Sequence, residues 1–147
     1  MVAKRVFKDT PINEITLRRF EKPTSDDALT LVRKLAISIG LLQPGDSRDI
    51  VSELLYLFVN SAKKKEFVTI EKVMDNFKDK DGGTPNNVRR QLRRLKELNI
   101  IERTSYGYRI KEFMPLTAIF KEYIMKYNIE PCIERIQEYC NLIDNVK

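Results

Sequence analysis

Apolar residues recur at three- and four-residue spacing in six stretches of this chain, and strand-like runs flank a tight turn in one more. The cleanest helical stretch is residues 84–98. At about 100° per residue, Val88, Leu92, Leu95 and Leu98 fall in one stripe. Asn86, Arg90, Arg93 and Glu97 lie opposite, with Arg89 on one flank and Arg94 and Asn87 on the other. Thr84 suits an N-cap, and Pro85 suits the first helical position. Asp81-Gly82-Gly83 interrupts the chain before this helix, and Asn99 stands where a left-handed residue ends many helices.

The other elements follow from the same reading. A helix is expected from near Ser25 to Gly40, with Asp26 and Asp27 in its first turn and Leu29, Val32, Leu35, Ala36 and Ile39 inward. Asp46 or Ser47 should cap the next helix, 47–64, whose apolar residues cover so many faces that it must pack on several sides. Lys63, Lys64 and Lys65 suit its carboxyl end. Phe67-Val68 is long enough for one short strand, and Thr69 caps a helix carrying Ile70, Val73, Met74 and Phe77. Residues 100–104 and 108–111 read as strands joined by a turn at Ser105-Tyr106-Gly107. Pro115 can open a helix with Leu116, Ile119, Phe120, Tyr123 and Ile124, which Asn128-Ile129-Glu130-Pro131 is expected to break. A last amphipathic helix carries Cys132, Ile133, Ile136, Tyr139, Cys140 and Ile143. At the other end, Ile15, Leu17 and Phe20 make a short strand or a docked extended segment within a basic arm, 1–23.

Charge singles out one of these elements. Residues 85–96 hold four arginines and no acid, whereas a merely solvated helix mixes Glu with Lys. Residues 84–111 carry eight Lys/Arg against two acids, a local +6 that equals the net charge of the whole chain. The remaining 119 residues therefore sum to zero. A charge gathered on one helix and its neighbouring hairpin is an electrostatic footprint for nucleic acid. Residues 112–147 hold four bases and six acids, a poor phosphate binder and a plausible dimerisation element, although packing back on the body is equally open.

At this point the order helix, short strand, helix, turn, basic helix, hairpin resembles the winged helix-turn-helix family of transcriptional regulators. The segment NNVRRQLRRLKELNIIERTSYGYRI carries the resemblance, which runs from about residue 48 to 111. Asn99 stands where many relatives have Gly. The flanks ITLRRFEKP and IGLLQPGDSRDIV are similar to extensions of small regulators in methanogenic archaea, among them activators of archaellum operons. The resemblance implies a mainly α fold with a small β-hairpin wing and extra N- and C-terminal helices. The chain then divides into the arm 1–23, an N-terminal helix 24–42, a winged-helix DNA-binding domain 46–111 and C-terminal helices 112–147.

On that reading the partner is double-stranded DNA, and the chain forms a homodimer. Arg can bond guanine bidentately and Asn adenine in the major groove, so Asn86, Asn87, Arg89, Arg90 and Arg93 are the base-reading candidates. Thr84, Arg94, Lys96, Arg103, Tyr106 and Arg109 are the backbone candidates, and the basic arm can reach a neighbouring groove. The alternative is a protein-interaction module serving basal transcription or replication machinery; RNA binding is disfavoured because no aromatic sheet platform is expected. Enzymatic chemistry finds little support: there is no histidine, no phosphate-binding lysine loop and no G-x-G-x-x-G. No metal or cofactor is expected. Cys132 and Cys140 are about 12 Å apart along one helix, too far for a disulfide. The chain lacks an apolar run of roughly 18 residues, so no membrane partner and a cytoplasmic location are expected.

Overall fold

The computed structural model describes residues 9–47 and 49–147; the first eight residues of the basic arm and Arg48 lie outside them. The described chain is mainly helical, with one small two-stranded antiparallel sheet. Four helices precede the sheet: α1 (Ala28–Ser38), α2 (Val51–Lys63), α3 (Ile70–Phe77) and α4 (Pro85–Glu97). The hairpin strands are β1 (Ile101–Thr104) and β2 (Gly107–Ile110). The remainder runs through α5 (Leu116–Ile119), a π-helical stretch (Phe120–Ile129) and α6 (Glu130–Asp144). No helix among the described residues is long and apolar enough to cross a membrane.

α2 is the hub. Leu54, Leu55 and Phe58 are fully enclosed, because α1 packs on one side of this helix and β2 on another. Its start differs from expectation. The helix begins at Val51, and neither Asp46 nor Ser47 caps it; Asp49 Oδ1 accepts from the Ser52 backbone N–H at 2.9 Å. Arg33 Nη1 holds the same Asp49 carboxylate at 2.6 Å, tying α1 to the head of α2. α1 likewise starts later than Ser25. Asp27 is its cap, Oδ2 accepting from both Thr30 N and Thr30 Oγ1, while Ser25 Oγ receives the Asp27 N–H. Within α1 the stripe falls on Val32, Ala36 and Ile37, and Leu29 turns outward.

The α3–α4 connection is shaped by close approach. A Cβ on Gly83 would sit 1.7 Å from the Phe77 carbonyl oxygen, so only glycine fits there. Thr69 and Thr84 cap their helices as their positions predict, accepting from Lys72 N and Asn87 N. The strand expected at Phe67-Val68 reduces to a single bridge, Val68 against Tyr108, with reciprocal hydrogen bonds of 2.8 Å. Gly107 makes room for it, since a Cβ there would meet the Val68 carbonyl at 2.8 Å.

The expected break at residues 128–131 does not occur. Helical backbone is continuous from Leu116 to Asp144, and Pro131 sits in the first turn of α6. A proline ring normally collides with the carbonyl one α-turn earlier. Here the preceding residues follow the wider i→i+5 winding, which leaves the ring space. The N-terminal segment is a docked extended one: Ile15 and Phe20 pack on the core, Leu17 faces out, and Arg18 N donates to Ser38 O at 2.8 Å.

Candidate nucleic-acid interface

α4 turns its apolar stripe into the core: Val88, Leu92 and Leu95 are buried, and Leu98 just beyond the helix is half-buried. Asn99 has φ 64°, and this left-handed residue turns the chain straight into β1. The opposite face is left bare. Asn86, Arg89, Arg90, Arg93 and Lys96 are all exposed, and among the described residues none of these cations is paired with a carboxylate. Arg89, Arg93 and Lys96 line a shallow cleft of ≈ 210 Å³ whose far wall is Tyr108 of β2. Arg103 is exposed on β1, its guanidinium 5.9 Å from the centre of the Tyr108 ring. One continuous basic surface thus runs from α4 across the cleft onto the hairpin.

Two expected contact residues are engaged inside the molecule instead. Asn87 Nδ2 donates to Gly82 O at 2.7 Å, and its Oδ1 accepts from Gln91 Nε2 at 3.2 Å. Gln91 Oε1 in turn accepts from Arg94 Nη1 at 3.0 Å, while Arg94 Nη2 reaches Gly40 O at 2.9 Å. These four bonds form a polar ladder along one flank of α4, from the turn before the helix to the loop after α1. Partial burial, and then the Arg90 charge, lower the pKa of the Arg94 guanidinium from its ordinary value. Asn87 and Arg94 therefore hold α4 at its angle.

The hairpin divides its candidates as well. Arg109 Nε bonds Glu102 Oε2 at 2.7 Å across the strands, and the guanidinium lies 5.1 and 4.8 Å from the ring centres of Phe67 and Phe113. Its charge is neutralised and its faces are stacked. Tyr106, in the two-residue connection, is 72% exposed and backed by Phe67 at 5.3 Å. Thr104 Oγ1 fixes this turn, donating to Gly107 O and accepting from Tyr106 N. Thr84 is exposed at the head of α4, its hydroxyl already accepting the Asn87 N–H.

Sequence reasoning missed Tyr108 and Gln91. Tyr108 was readable as the residue one pleat behind the turn on the face that meets the basic helix. Gln91 carried a signal too, since it stands inside an apolar stripe, where a polar side chain needs partners. The segment 15–20 is fastened to the end of α1, where Arg18 Nη1 donates to the Ile37 and Leu42 carbonyls. Compared with protein-family models, curated proteins and solved structures, the chain has no match in any of the three.

Proposed function

We propose that this chain is a winged helix-turn-helix regulator of transcription that reads double-stranded DNA with α4 and braces the duplex with the hairpin. One observation carries the reading: the exposed face of α4 offers cations that have no carboxylate partner among the described residues, and the hairpin extends that face with Arg103 and Tyr106. A guanidinium is more weakly hydrated than an ammonium, and its planar fork matches a phosphate or a guanine edge. Asn86, Arg89, Arg90 and Arg93 are the base readers in this proposal, and Lys96 and Arg103 are the phosphate contacts. Arg109 and Arg94 serve the scaffold.

Duplex titration over a range of salt tests it. With Lys96 and Arg103 each neutralising one phosphate, log K falls against log salt with a slope of about −2. A protein-interaction module in basal machinery has no reason to show that slope. Failure to bind any duplex more tightly than about 10 μM at low salt overturns the proposal, because even non-specific contacts reach that range.

A further inference from the structure

A cavity of ≈ 620 Å³ opens beside the last turn of α4. Four separate stretches meet around it: the docked segment 11–16, the loop after α1, the end of α4, and Asn128 of the π-helical stretch. Its size lies in the usual range of small-molecule sites, about 300–1,000 Å³. None of the residues assigned to DNA lines it.

The wall carries charges of both signs. Arg94 is half-buried there, and among the described residues no carboxylate pairs with it. A guanidinium has five N–H groups, and Arg94 commits one to Gln91 Oε1 and one to Gly40 O. The other N–H groups and the charge remain for a ligand, and burial already disfavours that charge. Glu97 stands three residues later on the same helix, and Glu14 stands on the docked segment. Both are exposed, and neither forms an ion pair among the described residues. Ile15, Ile39, Leu41 and Leu98 supply an apolar wall. Residues three apart on a helix have Cβ atoms about 5–6 Å apart. Arg94 and Glu97 thus bracket two opposite charges that lie close together. A simple anion would meet two carboxylates here, and a simple amine would meet the guanidinium. An α-amino acid carries both charges on one carbon.

We infer that this cavity binds a free α-amino acid with an apolar side chain. The ligand carboxylate takes spare N–H groups of Arg94, the ammonium faces Glu97 and Glu14, and the side chain lies on the apolar wall. Arg94 belongs to the cavity and to the polar ladder alike. The bound carboxylate therefore sits on the residue that holds α4 at its angle.

Binding needs no DNA, so its measurement stands apart from the duplex titration. Calorimetric titration of the full chain with L-leucine and with L-phenylalanine should give dissociation constants below about 1 mM. L-Leucinamide keeps the ammonium and lacks the carboxylate. It should bind more than about tenfold more weakly, the usual strength of a hydrogen bond between charged groups. N-Acetyl-L-leucine keeps only the carboxylate and should lose about fivefold, the strength of one exposed ion pair. Glu97→Gln should bring the same loss for L-leucine, no further loss for N-acetyl-L-leucine, and an unchanged melting temperature. No binding of either amino acid tighter than about 1 mM overturns the inference. So does either leucine derivative binding as tightly as L-leucine. An L-leucine affinity unmoved by Glu97→Gln overturns the placement of the ammonium.

Discussion

α4 and α6 are amphipathic helices of nearly equal length, 13 and 15 residues, but α4 shows solvent only its polar half whereas α6 shows both. α4 buries Val88, Leu92 and Leu95 and presents arginines; α6 buries nothing and presents isoleucines. Both read alike as a pattern of apolar spacing. The difference lies in whether the fold supplies a cover, and that decides the chemistry left for a partner. Where the apolar side is covered, only the charged side is left to solvent. Where it is not, the apolar side is left there too.

The sharpest way to break this contrast is to cut matching side chains from the two stripes. Leu92→Ala should lower stability by about 2–5 kcal/mol, because it empties a packed site, whereas Ile136→Ala in the monomer should change it by no more than roughly 0.5 kcal/mol. Thermal melts of both variants at low concentration check this. Equal losses would mean that α6 is covered in the monomer.

The polar face of α4 comes next in size. Arg90→Ala and Arg93→Ala should each cost about 1–3 kcal/mol in binding to a selected duplex and leave folding within roughly 0.5 kcal/mol. Competition with base-substituted duplexes tells base reading from phosphate contact: preference should relax at particular positions rather than fall uniformly. Arg94→Ala should behave in the opposite way. Losing its bonds to Gly40 O and Gln91 should lower stability by about 0.5–1.5 kcal/mol, visible in a melt without DNA. An unchanged melt would return Arg94 to the contact surface.

The element order, the caps at Thr69 and Thr84 and the hairpin were legible in the sequence because each rests on local chemistry: a hydroxyl three residues before an N–H, a proline at a first turn, a turn between strands. The rest depended on distant partners. A helical projection puts Arg94 on a flank but cannot know that Gly40 O, 54 residues away, waits there. Glu102 and Arg109 stood close enough in sequence to be paired once a register was assumed, and Ile101↔Ile110 fixes that register. Pro131 misled for a different reason. Its cost depends on how the preceding turns are wound, and residue identity does not show that winding.

The smallest expected effect is one of pH, and it concerns the head of α1. The Asp27 carboxyl lies below its ordinary 3.8 because the Thr30 hydroxyl and then the Thr30 N–H donate to it. A lowered folded-state value means that its stabilisation is complete above 3.8 and drains away as pH falls through the lowered value. Asp27→Asn should flatten that part of the acid limb of the stability curve, measured by urea titration between about pH 2 and 5.

The π-helical stretch between body and α6 has one more consequence. It acts as a timing mark between two faces: the one that Ile124 and Ile129 press into the body and the one that Ile136 and Ile143 offer outward. Neighbouring residues on a helix are about 100° apart. Inserting or deleting one residue between 120 and 129 would leave every side chain of α6 in place on its own helix, yet swing the whole stripe to another side of the molecule. Substitutions in this stretch should be forgiven more readily than any change in its length.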